Sequence, residues 1–162
     1  MSKIAGAGVF LRTPPGSKKL RKGGMAMQQQ DLYRTESSKP VAQFAGDLKE
    51  VAEKYGFVVH NAEKMAMAEA FARHNAPVPP GFDLHMIQIC KPEKAAQSMG
   101  ANPERSVLMP KFVMAFSGGG KTQIRFLRYN AEEIAAVVDD PQFPASLTET
   151  YGRIVAMIEE VR

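Results

Sequence analysis

The chain's single cysteine, Cys90, closes the apolar run Leu84 to Cys90 and stands two residues before Pro92. Proline fits the first turn of a helix, so the thiol is expected near a helix N-terminus, where the positive end of the helix dipole favours a thiolate. Lys91 and Lys111 would strengthen that field if their ammonium groups turn inward. A thiolate placed there could carry a sulfur group, a redox adduct or a soft metal. The competing expectation is inert packing, since free cysteine is among the most buried residue types. His85 lies on the same run, and with Cys90 and Met86 or Met109 it would supply the nitrogen and sulfur donors that suit Cu(I). Methionines at strand or helix spacing are more often core fillers. The histidines His60, His74 and His85 are too scattered for a hydrolytic metal motif, although His60 and His85 fall at the ends of two β-rich runs and could approach each other or Cys90. Nothing in the spacing of Ser106, Ser117, His60 and the acids specifies a catalytic triad. One cysteine excludes an internal disulfide and a multi-cysteine zinc site within one chain. The residues specify no cofactor and no reaction.

Gly118-Gly119-Gly120-Lys121-Thr122 ends as a nucleotide-phosphate loop ends. The motif needs its first glycine where Ala115 stands and a helix after Thr122, whereas Gln123 to Tyr129 reads as a strand. A glycine-rich hairpin loop explains these residues better.

The elements that must position these groups follow from periodicity. Leu32 and Tyr33 open a short strand within Asp31 to Thr35, and Ser37, Ser38 and Pro40 lead into a helix whose Val41, Phe44, Ala45, Leu48, Val51 and Tyr55 recur on one face, with Gly56 as its stop. Phe57 to His60 reads as a strand. Asn61 is expected to cap a second helix carrying Met65, Ala68, Phe71 and Ala72, ended by Pro77, Pro79, Pro80 and Gly81. Leu84 to Cys90 reads as a central strand, and a short helix runs from Pro92 through Met99 to Gly100. Val107 to Phe116 and Thr122 to Tyr129 form a hairpin. Asn130 with Glu133 gives a capping-box pattern for a helix over Ala131 to Val138, and a last amphipathic helix follows Pro144. The expected fold is α+β, a mixed, largely antiparallel sheet of about five strands with helices packed mainly on one face.

The chain's 162 residues suit one domain. Six of its 21 lysines and arginines lie in residues 1–24 with no acid, and the other 15 face 17 acids, so the remainder is slightly acidic and nucleic-acid binding is not expected. Residues 1–30 lack hydrophobic periodicity and read as a flexible basic tail, ahead of a single domain over 31–162. Residues 1–11 match a secretory leader poorly, with Arg12, Pro14 and Pro15 where a cleavage site should be, and Met25 is a second candidate start. No apolar run approaches the ~20 residues of a membrane span. A soluble, cytoplasmic protein is expected.

Three stretches resemble the uncharacterised bacterial and archaeal family catalogued as domain of unknown function 302: Leu32 to Pro40, Ile89-Cys90-Lys91-Pro92-Glu93-Lys94-Ala95, and Leu108-Met109-Pro110-Lys111-Phe112-Val113. The likeness covers roughly residues 31–130. The resemblance implies a compact α+β domain that forms a dimer, and it draws notice to Cys90. Family members often carry a second cysteine where Lys111 stands, so two-thiol chemistry is not expected of this chain. From residues and resemblance together, the expected function is an accessory domain that self-associates and binds a small ligand or a partner protein, with Cys90, Lys111 and His85 as candidate ligand-binding residues. The alternative is a thiol-based sulfur, redox or soft-metal protein using Cys90.

Overall fold

A computed structural model describes residues 32–162. The basic segment read as a flexible tail lies outside the described residues. Five strands form one sheet in the order β1-β5-β4-β3-β2: β1 Leu32–Ser37, β2 Val58–Val59, β3 Leu84–Cys90, β4 Phe112–Gly118 and β5 Lys121–Leu127. Each of the four pairings is antiparallel. The helices are α1 Val41–Lys54, α2 Met67–Ala72, α3 Pro92–Ala101, α4 Ala131–Val137 and α5 Phe143–Val161. This is the α+β architecture expected.

Strand alternation sends odd-numbered residues of β3 and β4 and even-numbered residues of β5 to one face. Ile87, Ile89, Val113, Ala115, Ile124 and Phe126 are buried there. α1 and α5 cover that face with Phe44, Ala45, Leu48, Ile154, Met157 and Ile158. Tyr151 of α5 meets Phe126 edge to face at 5.7 Å. Lys39 ties both helices down, since its Nζ donates to Asp47 Oδ2 at 2.7 Å and to Val161 O at 2.6 Å, the end of α5, where a cation is favoured.

The helix and turn signals act as their chemistry requires. α1 ends in paired bonds, Phe57 N to Ala52 O and Gly56 N to Glu53 O, closed by Gly56 at φ +74°. Asn130 and Glu133 make the reciprocal capping box of α4. The β4–β5 hairpin closes at Gly118 opposite Lys121 around Gly119 and Gly120, with φ of +63° and +76°. Positive φ at both central residues makes this a tight two-residue turn, not the longer flexible loop expected.

Several boundaries differ from expectation, most by one or two residues at strand and helix ends, and four differ in ways that have a physical cause or a neighbouring element behind them. The helix expected after Asn61 is split into a 3₁₀ turn, Ala62–Lys64, and the short α2. Asn61 caps neither: its Nδ2 donates to Met86 O at 2.8 Å and its Oδ1 accepts from Gln88 N at 2.9 Å. Met65 O accepts from Met86 N, so the chain beyond β2 keeps satisfying the edge of β3 instead of coiling. β2 is shorter than Phe57 to His60, because the N–H of Phe57 closes the end of α1 at Ala52 O. β4 begins at Phe112, not Val107, since Pro103–Leu108 winds into a 3₁₀ turn and Pro110 lacks the donor a ladder needs. α3 runs through Gly100 to Ala101.

Candidate functional site

Lys111 is the residue whose burial is hardest to explain by packing alone. Its backbone O accepts from Ile89 N at 2.9 Å, extending the β3–β4 ladder by one step beyond Phe112. Alternation with Val113 and Ala115 then directs the side chain to the helix-covered face, where it is 8% exposed. Its Nζ donates to Met109 O at 2.7 Å. Among the described residues it has no carboxylate partner. Burial lowers its pKa, the charge of Cys90 opposes that shift, and Lys94 adds to it.

Above Lys111 lies a cleft between α3 and α5. Lys91, Lys94, Ala95 and Ser98 follow helical spacing along one face of α3, and Phe143, Ser146, Leu147 and Thr150 do so along α5. It is open at its mouth, and its water-sized room is about 20 Å³, enough for one water. Lys94 Nζ donates to Ser146 O at 3.2 Å and lies 3.7 Å from Glu149 Oε2. Lys91 stands 5.4 Å over the Phe57 ring. The cleft therefore gathers three lysines and one carboxylate.

Cys90 is partly exposed at the end of β3, opposite Val58. Lys111 is in register with Ile89, the residue before it, so alternation turns the Cys90 and Lys111 side chains to opposite faces, and a thiolate at Cys90 would reach the Lys111 ammonium only electrostatically. His85 does not join them. It sits five residues earlier on β3, roughly 17 Å along the strand, and alternation puts it on the opposite face from Cys90. It lies 3.5 Å from Asp83 and pairs with Ala66 across an isolated bridge. His60 donates its N–H to Gln88 O, which sets it nearer Cys90 than His85 is. No group of three or more His, Cys, Asp or Glu able to hold a metal occurs among the described residues.

A second feature escapes any search for reactive residues. The sheet face turned away from α1 and α5 carries Leu84 and Met86 of β3 and Phe112, Met114 and Phe116 of β4, all partly exposed. Arg125 packs over Phe116 at 5.5 Å, and Arg34, Glu36 and Gln123 share its side of the sheet. The face runs into a groove of about 210 Å³ lined by Pro110, Phe112, Met114, Leu127, Tyr129 and Tyr151. The signal was present in the sequence as apolar residues at both parities of β3 and β4.

Thr122 and Lys121 of the glycine hairpin do ordinary structural work: Thr122 Oγ1 donates to Lys39 O at 2.6 Å, Lys121 pairs with Glu36, and a strand follows. No phosphate-binding helix begins there.

No helix of the described residues is long and apolar enough to cross a membrane. No curated protein matches the chain. The fold matches a crystal structure of the uncharacterized conserved protein DUF302 from Bacillus stearothermophilus with a TM-score of 0.67 at 17% identity, covering 82% of this chain and 98% of that one. The family described as the domain of unknown function DUF302 matches residues 33–161. With that match spanning nearly all of the sheet and every helix, the chain belongs to the DUF302 family.

Proposed function

We propose that the chain is a non-enzymatic accessory binding domain that works as a homodimer, pairing through the open face of its sheet and taking a small ligand in the cleft between α3 and α5. The chemistry of the open face carries this reading. An antiparallel sheet with one solvated face alternates apolar inward with polar outward. Here most outward positions of two adjacent strands, Leu84 and Met86 on β3 and Phe112, Met114 and Phe116 on β4, are apolar, with Gln88 the polar exception beside Phe112. Contiguous apolar patches rimmed by polar groups mark association surfaces, and Arg34, Arg125 and Gln123 form such a rim. A second copy presents the same patch and needs no further molecule to cover it. A single unpaired cysteine accords with a reducing, cytoplasmic setting.

Native mass spectrometry tests the pairing. The full chain is expected as a dimer, and Met114→Glu, which sets a charge in the middle of the patch, as a monomer with unchanged far-UV circular dichroism. A wild-type chain that stays monomeric at high protein concentration sinks the homodimer.

A second reading has its own support, the position of the partly exposed Cys90 just before the N-terminus of α3, within electrostatic reach of Lys111. In it, Cys90 carries a sulfur group, a redox adduct or a soft metal. The same spectra decide: an added mass present in the wild type and lost in Cys90→Ser favours the thiol, and identical masses corrected for the substitution remove it.

A further inference from the structure

We propose that the cleft between α3 and α5 is a site for a small oxyanion, a carboxylate or phosphate group, with Lys111 at its floor and Lys94 and Lys91 at its mouth. This rests on the ligand-binding part of the reading above and names the chemistry of that ligand.

The inference starts from a charge imbalance. A buried cation is costly unless it is paired. Lys111 is 92% buried with one carbonyl for three donors. Of the lysines lining the cleft, only Lys94 has a carboxylate, Glu149, and that contact is a loose 3.7 Å. Lys91 meets only an aromatic face. Arg105, the nearest guanidinium to Ser98, is already committed to Asp140 at 2.7 Å. An anion arriving here meets uncompensated positive charge in a half-enclosed place, where screening by water is weak.

Size selects among anions. Room for a water-sized group is about 20 Å³ in a cleft open at its mouth, so a single oxygen can reach the floor while anything larger stays outside it. An oxyanion satisfies both conditions: one oxygen enters to the Lys111 ammonium while the others stay at the mouth beside Lys94 and Lys91. Lysine suits this role as a compact point charge for phosphate and carboxylate. The Thr150 hydroxyl is committed, donating to Ser146 O, whereas Ser98 Oγ accepts from Arg105 and keeps its O–H free to donate to the anion.

The test is thermal unfolding and isothermal titration of the full chain with inorganic phosphate and with acetate, against chloride at equal ionic strength. Phosphate and acetate are expected to raise Tm beyond chloride, because a ligand bound only by the folded state stabilises it. Lys111→Met is expected to abolish the difference. Lys94→Gln, which leaves the buried floor intact and so serves if the first variant folds poorly, is expected to weaken binding about fivefold. Lys49→Gln, on the far surface of α1, is expected to change nothing. Equal stabilisation of wild type, Lys111→Met and Lys94→Gln would place the anion elsewhere, on the basic residues 1–24 for example, and overturn the site. No effect beyond chloride in the wild type overturns it too. The mass of the assembly, read on the same samples, reports separately on the dimer.

Discussion

Asp140 shows how one residue can hold a junction of elements. Its carboxylate, 9% exposed, accepts from Asn102 Nδ2 at 2.9 Å, from Arg105 Nε at 2.8 Å and from the backbone N–H groups of Gln142 and Phe143 at 3.0 Å. These bonds join the end of α3 and its 3₁₀ extension to the start of α5, the two walls of the oxyanion cleft. The hydrogen bond from Asn102, then those from Arg105 and the backbone, bring its pKa from 3.8 down to about 2. A carboxylate with a depressed folded pKa stabilises the fold fully above its unfolded pKa and loses that contribution as pH falls through the folded value. The wild type is therefore expected to lose stability between about pH 4 and pH 2. Asp140→Asn keeps the shape without the charge. It should be less stable than wild type at neutral pH, with a shallower decline across that interval. Urea titrations of both proteins down the pH scale check this, and parallel declines would show that other carboxylates control acid unfolding. In the sequence, Asp139-Asp140-Pro141 reads only as a helix breaker, because nothing local announces that Asn102 and Arg105 will fold onto it.

Turns and caps were the most legible elements, because their chemistry is local. Gly56, Asn130 with Glu133, and the glycine hairpin each act through bonds to residues within five positions. The hairpin offers a direct measurement. Gly120 has φ of +76° and open space where a Cβ would stand, so Gly120→Ala meets no clash and its cost is purely conformational, about 1 kcal/mol. Gly152, inside α5 and also facing open space, has the opposite sign: Gly152→Ala is expected to stabilise by about 0.5–1 kcal/mol. Denaturant midpoints of the two variants measure both, and a Gly120→Ala protein as stable as wild type would mean the hairpin adopts another turn. Elements that depend on distant partners were less legible. Asn61 has the residue type of a helix cap, yet the open edge of β3 claims its side chain. Val107 and Leu108 are β-prone, yet Pro110 keeps them out of the ladder. The candidate site divides the same way. Cys90 and Lys111 could be named from type and position, and β3–β4 pairing sets Lys111 beside Ile89, one residue before Cys90, but on the other face of the sheet. His85 was named from the same run, but an odd number of residues from Cys90 turns it to the other face.

At the scale of the whole molecule, the open sheet face limits how tightly two copies can hold each other. Five strands at ~4.8 Å spacing, with about 3.3 Å per residue, give a face of roughly 20 by 20 Å, on the order of 400 Å² per protomer. Stable complexes bury about 800 Å² per partner. Even with the groove around Leu127 and Tyr129 engaged, the pair falls at the weak end of that scale, so its dissociation constant is expected near the micromolar range. Sedimentation velocity over a hundredfold dilution series should then resolve a monomer–dimer exchange instead of one species. The chemistry of the face also fixes the response to salt. If Met86, Met114 and Phe116 supply the attraction, added sodium chloride leaves the exchange unchanged or strengthens it, since only charge pairs are screened. If the rim arginines Arg34 and Arg125 supply it by meeting acids of the second copy, the same salt dissociates the dimer. Hydrophobic burial also weakens on cooling, so a dimer held by the patch should shift toward monomer between room temperature and near-freezing at constant salt. A dimer broken by salt and indifferent to cooling would move the interface off the patch to the charged strands β1 and β5, and Met114→Glu would then leave it intact.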